Sequence, residues 1–204
     1  MSPRRYEMRA RADSSAATRQ RIVRATIDLA FELERVDATL DQIARRAETS
    51  VQTILRHFGT RDGLMTAAIE HAGADVAEER RDPAGGIDAN IARLVSHYER
   101  RGRFVLRLLA ADDTAGDATG DEAARTVTGP GKLLHRRWVE DVFADELPAR
   151  GPRHDSLVDM LVVTTDVYAW KLLRLDRGLD VHTTEDRIRT MTRSILNESR
   201  EGAS

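Results

Sequence analysis

The residues with the clearest capacity for chemistry lie in one short run, Ser50-Val51-Gln52-Thr53-Ile54-Leu55-Arg56-His57-Phe58. Wound as a helix, Val51, Ile54 and Phe58 fall on one face at three- and four-residue spacing. Gln52, Thr53, Arg56 and His57 are left on the other. An amide pairs a donor with an acceptor and matches the N6/N7 edge of adenine. A guanidinium matches the O6/N7 edge of guanine, or a phosphate. The chemistry on offer is recognition by hydrogen bonding, on a helix slim enough for a groove about 12 Å wide.

Competing chemistries fail on spacing. Gly129-Pro130-Gly131-Lys132 has the look of a phosphate-binding loop, but the first glycine of that motif would fall on Thr126, and Leu133 stands where Ser or Thr is needed. The six histidines form no His-x-x-x-His or Glu-x-x-His pair, and there are no cysteines. Zinc and di-iron sites, disulfides and thiol catalysis are therefore disfavoured. Asp112 and Asp113 are adjacent loop acids better read as solvated. No metal, cofactor or catalytic residue is expected, and the chain is not expected to be an enzyme.

A reading helix must be held by others. Ile22, Ala25, Leu29 and Leu33 recur at helical spacing after Thr18. Thr39 followed by Gln42 is a capping box opening a helix that turns Leu40, Ile43, Ala44 and Ala47 inward. Glu48-Thr49-Ser50 then forms the corner, Ser50 caps the helix ending at Phe58, and Ala44 is small enough for the two helices to cross. Ile43, Ala47 and Ile54 lock them together. After Gly59-Thr60 a long helix carries Leu64, Ala68 and Ile69. Beyond the break at Asp82–Gly86, the expected helices are Ile87–Arg101 and Arg103–Ala111 separated at Gly102, and Glu122–Glu146 interrupted at Gly129-Pro130-Gly131. Asp112 to Gly120 reads as a polar loop. After Leu147–Pro152 come His154–Arg177 and Thr184–Ser199, the last capped by Thr183 with Asp186. The expectation is an all-α fold of about nine helices.

Composition agrees with a front half suited to polyanions. Residues 1–61 hold twelve Arg against eight acids, while the remainder carries 20 basic and 26 acidic groups. The charged N-terminus lacks the apolar segment of a secretory signal, and no run is long enough to span a membrane. The expected location is cytoplasmic.

The stretch Thr18 to Ile69, with Thr39–Ala44 and Ser50–Phe58, resembles the N-terminal DNA-binding domain of the TetR family of regulators. Arg61-Asp62-Gly63-Leu64 resembles the basic start of that family's fourth helix, and His97-Tyr98-Glu99 and Trp170–Leu173 are also similar to family sequence. The resemblance implies a homodimeric regulator, most simply a repressor released from double-stranded operator DNA by a small molecule. It also implies a division into a basic arm (1–14), a helix-turn-helix domain (15–62) and a ligand-binding and dimerisation domain (63–204). Thr39 is then expected to hold a phosphate, Gln52 and Thr53 to read base edges, Arg56 and His57 to reach bases or phosphate, and Arg61 to meet the backbone. Gln42, Ser50, Val51 and Leu55 complete the expected DNA-binding set, and Arg4, Arg5, Arg9 and Arg11 could extend it.

The sequence departs from the family pattern at three places. The usual turn glycine is Glu48, where a left-handed backbone would be strained. The aromatic common in the middle of the reading helix is Leu55. The glycine-aromatic pair before the second helix is Arg35-Val36.

By the same resemblance the back half should enclose an unidentified effector, with Tyr98, Phe104, Leu108, Trp138, Phe143, Met160, Thr164 and Tyr168 as candidate lining. The last two helices carry rows at three-to-four spacing, Leu157, Leu161, Lys171 and Leu175 on one and Ile188, Met191 and Ile195 on the other. These rows read as the dimer interface, a four-helix bundle of two hairpins, although the same spacing also serves packing within one chain. The other class open to the sequence is an all-α ligand-binding protein or helical-bundle enzyme with a vestigial helix-turn-helix.

Overall fold

The computed structural model of the chain describes residues 3–34, 36–82, 84–113 and 122–201. Side chains at the helix ends 3–12, 122–125 and 201 are outside that description. The described residues are helical without strands, and none of their helices is long and apolar enough to cross a membrane. In order the helices are α1 (Pro3–Leu33), α2 (Leu40–Arg46), α3 (Val51–Phe58), α4 (Arg61–Arg80), α5 (Gly86–Asp113), α6 (Glu122–Val142), α7 (Pro152–Thr165), α8 (Val167–Trp170) and α9 (Val181–Glu201). A π-helical turn, Lys171–Asp176, follows α8. The chain divides into two compact units, Met1–Ala74 and Asp75–Ser204.

The first unit is built around Ile22, Ala25, Ala38, Ile43, Ala44, Ala47, Ile54 and Leu64, with Leu29, Leu40, Val51 and Phe58 packed against them. Both expected caps form. The Thr39 hydroxyl accepts from Gln42 N at 3.2 Å while the Gln42 side chain accepts from Thr39 N at 2.8 Å. The Ser50 hydroxyl accepts from Thr53 N at 3.1 Å. These bonds satisfy amides that a helix start leaves without partners. Helix α1 begins at Pro3, not after Thr18, so it runs through the stretch read as an arm.

The second unit packs α5, α6, α7, α8 and α9 around Ile91, Leu94, Tyr98, Trp138, Phe143, Leu157, Leu161, Trp170 and Ile188. Four expectations change here. Gly102 does not divide its helix, since α5 is continuous from Gly86 to Asp113. A methyl at Gly102 would fall 2.6 Å from Trp170 Cζ3, so the glycine seats the indole. Pro130 lies inside α6 without ending it. It is on an exposed face, where one missing ladder bond costs little.

The expected long helix His154–Arg177 is instead broken at Asp166, whose backbone is extended (φ −70°, ψ 157°) and whose carboxylate accepts from Tyr168 N to cap α8 at 2.8 Å. The carbonyls freed at the end of α7 are taken up: Tyr98 Oη donates to Thr165 O at 2.9 Å, and His135 Nε2 approaches Val162 O at 3.4 Å. The final helix is capped by Asp180, which accepts from Thr183 N at 2.8 Å, not by Thr183 with Asp186. Of the expected polar loop, Asp112 and Asp113 end α5, and the stretch from residue 114 lies outside the described residues.

Candidate nucleic-acid interface

Helix α3 is held by what lies beneath it. Ile54 is wholly buried, Val51 and Phe58 pack on the same core, and the Arg19 guanidinium sits 4.3 Å from the centre of the Phe58 ring. The corner before it turns tightly: Thr49 N donates to Ala44 O at 2.9 Å and Arg21 Nε to Ala47 O at 2.9 Å. The turn passes through Glu48 with φ 49°, the left-handed conformation that glycine would take without strain. The departure at Glu48 is thus a real backbone cost, accepted to keep the corner.

The outward face carries Gln52, Leu55 and Arg56, all exposed. Neither Gln52 nor Arg56 makes a side-chain hydrogen bond or ion pair among the described residues. Each therefore has its full complement of donors and acceptors available to a ligand. The other expected residues are partly engaged. The Thr53 hydroxyl lies 3.0 Å from that of Ser50, and His57 lends its carbonyl to Arg19 at 3.5 Å. Val51 is turned towards the core. Thr39 and Gln42 are bonded to each other at the start of α2, with the Thr39 hydroxyl exposed at the helix N-terminus. Arg61 is half-buried, its Nη2 donating to Val36 O at 3.4 Å, so one arm of its fork ties the loop before α2 to α4. The side chains of Arg4, Arg5, Arg9 and Arg11, and all of Arg35, lie outside the described residues.

With that geometry in place, the comparisons decide its kind. The family model described as "Bacterial regulatory proteins, tetR family" matches residues 30–68, which span the end of α1, the corner, α3 and the start of α4. The whole fold is similar to a tetR-family transcriptional regulator from Streptomyces coelicolor, at a TM-score of 0.63 and 14% identity, over 91% of this chain and 89% of that one. It is also similar to a transcriptional regulator from Rhodococcus sp. Rha1, at a TM-score of 0.61 and 18% identity, over 88% of this chain and 96% of that one. Residues 30–68 thus match the TetR family, and the fold is one that TetR-family regulators share. No curated protein sequence is a significant match to it. The match and the shared fold support a DNA-binding transcriptional regulator, and the matched segment contains α3.

The second unit sorts the remaining candidates differently from their spacing. Of the expected effector lining, Tyr98, Trp138 and Phe143 are core residues, with Trp138 and Phe143 edge to face at 6.3 Å. Leu108 is buried and Phe104 half-buried on α5. Met160 and Tyr168 are 45% and 43% exposed, and Thr164, half-buried between them, bonds back to Met160 O and Leu161 O. A shallow cleft of about 360 Å³ lies between α7 and α9, bordered by Arg153, Leu157, Met160, Ile195 and Glu198 among others. Met160 is the one lining candidate that touches it.

The expected dimer rows divide too. Leu157, Leu161 and Ile188 are buried in the chain's own core, and Leu175 and Ile195 pack against it. Lys171 is committed to Asp176 at 2.7 Å. The large apolar side chains that α7, the π-turn and α9 do present outward are Met160, Val163 (69% exposed), Leu172 (58%), Val181 and Met191. Spacing alone could not tell which apolar residues of these helices face the chain's own core, because Met160, Val163, Leu172 and Met191 are apolar too yet stand exposed.

Sequence reading also missed a buried polar group. Arg80 and His97 are buried, beside the core residue Tyr98 and near His135. Desolvation holds His97 down at about 2 and His135 at about 4, with the positive charge of Arg80 adding to both. Glu79 Oε2, 3.2 Å from His97 Nδ1, pulls the other way, but Arg100 and Arg101 share that carboxylate. Both imidazoles are neutral. The signal in the sequence was only His97-Tyr98 and His135 at inward helical positions, which reads equally as ordinary core.

Proposed function

We propose that the protein is a homodimeric repressor released from its operator by a small molecule. Each subunit lays α3 in the major groove, with Gln52 and Arg56 reading base edges or phosphate and the exposed N-terminus of α2 at Thr39 meeting a backbone phosphate. The observation that carries the reading is that α3 buries Ile54 while leaving the polar ends of Gln52 and Arg56 unengaged on its outer face. Leu55, 39% exposed on that face, suits contact with a thymine methyl or sugar.

Dimerisation is assigned to the outward apolar side chains of α7, the π-turn and α9, chiefly Met160, Val163, Leu172 and Met191. Large exposed apolar residues grouped on neighbouring elements mark an interaction face, and a two-fold dimer supplies two reading helices for a palindromic operator. Val163→Glu with Leu172→Glu should give a folded monomer in sedimentation velocity. A double variant that stays dimeric would place the interface elsewhere.

The reading as a whole is tested by selecting genomic fragments on the purified protein at roughly 0.15 M salt, a concentration at which purely electrostatic binding is already weakened. The expected result is a shared palindrome whose enrichment disappears with Gln52→Ala plus Arg56→Ala. Enrichment indifferent to both substitutions would refute it.

A further inference from the structure

The second unit holds a polar cluster that its own side chains leave incomplete. Arg80, the last residue of α4, is 7% exposed, yet its Nε has no hydrogen-bond partner. Its guanidinium makes no ion pair among the described residues. Native chains seldom leave a buried charge in that condition, and each such group calls for an explanation. The guanidinium carbon is 5.3 Å from the centre of the Tyr98 ring, and Trp138 Nε1 donates to Arg80 O at 3.1 Å. Trp138 stacks on His135, with centroids 5.7 Å apart and planes 11° from parallel.

The tautomer of His135 follows from its neighbours. Thr165 Oγ1 gives its hydrogen to Leu161 O at 2.6 Å. It must therefore accept from His135 Nε2, which lies 3.2 Å away. With Nε2 protonated and the ring neutral, Nδ1 is a bare acceptor. That Nδ1 is buried and has no partner. Two buried atoms of opposite need thus lack hydrogen-bond partners, the donor Arg80 Nε and the acceptor His135 Nδ1. The carboxylate of Asp166 attracts Arg80 through space, but it caps α8 through Tyr168 N and leaves Arg80 Nε without a hydrogen-bond partner.

We propose that Arg80 and His135 are the receptor for the effector's polar end, and that the effector is an aromatic hydroxy acid. Its carboxylate pairs with the Arg80 guanidinium, its hydroxyl donates to His135 Nδ1, and its ring lies against Tyr98 and Trp138. This rests on reading the second unit as effector-responsive. Tyr98 and Trp138 belong to the packed core, so seating the ligand must shift the α7–α8 junction, whose Val162 and Thr165 carbonyls His135 and Tyr98 hold. The outer side of that junction carries Val163 and Tyr168, which gives ligand capture a route to the proposed dimer face.

The test uses the full chain and four probes: sodium salicylate, sodium benzoate, salicylamide and benzamide. Melting temperature is recorded against concentration, and release of a selected operator fragment is measured separately. Salicylate should raise the melting temperature saturably, benzoate less so, and the two amides not at all. Arg80→Met should weaken both acids at least tenfold, and His135→Phe should bring salicylate down to the level of benzoate. Should Arg80→Met not fold, the His135→Phe comparison decides alone. Amides matching acids, an unchanged response in Arg80→Met, a hydroxyl advantage surviving His135→Phe, or no shift with any probe would overturn the site. Acids that bind without releasing DNA would leave the site standing and refute the release reading. Release by an unrelated compound, with these probes inert, would do the reverse.

Discussion

The two units dispose of their unused groups in opposite ways. In the first, the interior is apolar and small-sided, with Ala25, Ala38, Ala44 and Ala47 allowing the corner helices to approach, and the unengaged groups are polar ends on the outside of α3. In the second, α7 and the π-turn expose the apolar Met160, Val163 and Leu172, while polar atoms without hydrogen-bond partners, Arg80 Nε and His135 Nδ1 among them, are inside. A polar group left over at a surface is cheap because water serves it, so it marks readiness for a polar partner such as DNA. A polar group left over in a core is expensive, so it marks either a ligand or a cost that the fold carries for nothing. The difference is why the first unit can be read from its surface and the second only from its interior.

The sharpest way to break this contrast lies on α7, where sequence spacing put Leu161 at an interface. Leu161 is wholly buried, whereas Val163, two positions on, is 69% exposed. Leu161→Ala should cost about 2–5 kcal/mol by lost transfer energy and cavity formation, measured by urea unfolding of the second unit. Val163→Ala should leave the folding of an isolated subunit within about 0.5 kcal/mol and act on self-association alone. Comparable unfolding costs for the two would show that the inner and outer faces of α7 have been exchanged.

Acid should separate the units next. His97 and His135 are neutral when folded, at about 2 and about 4, and titrate near 6.5 when unfolded. Below 6.5 the unfolded chain binds more protons, so stability falls as pH falls, until each histidine also protonates in the folded state. From pH 7 to pH 5 the loss is about 2 kcal/mol for each histidine at 1.36 kcal/mol per unit. His135→Phe should abolish its share. Hydrogen exchange resolved by unit would show the loss in α5, α6 and α7, and an acid response unchanged in that variant would mean His135 is charged when folded.

At the proposed reading face, Arg56→Ala should cost about 1–3 kcal/mol of operator affinity. It should leave unfolding unaffected, since the side chain touches nothing that holds the fold. Gel-shift titration of wild type and variant against the same palindrome decides it. A stability loss without an affinity loss would turn α3 from a reading helix into an ordinary surface helix.

How much was legible follows from the same contrast. Local rules wrote the first unit: Thr39 with Gln42 and Ser50 with Thr53 are caps between neighbours in sequence, and both formed where expected. The second unit was set by contacts between distant residues. Gly102 looked like a break because nothing near it in sequence shows Trp170 filling the space. Asp166 looked like mid-helix because the groups that take up the freed carbonyls, Tyr98 and His135, are on other helices. Nothing in the sequence marks Arg80, and only its burial makes it conspicuous.

The smallest expected effect tests the one flaw that was legible. Glu48 stands at φ 49°, a conformation costing a non-glycine residue roughly 1–2 kcal/mol. Glycine removes that strain but adds unfolded-state entropy of about 0.5–1 kcal/mol. Glu48→Gly should therefore raise the stability of the first unit by only about 0.5–1 kcal/mol, a few degrees in melting temperature. It should also bring operator affinity up slightly, because an acid at the corner beside α3 repels phosphate. If stability rises while affinity falls, Glu48 holds α3 at its reading angle and the strain is functional. If neither changes, the corner is relaxed at this position and the left-handed turn costs the chain nothing.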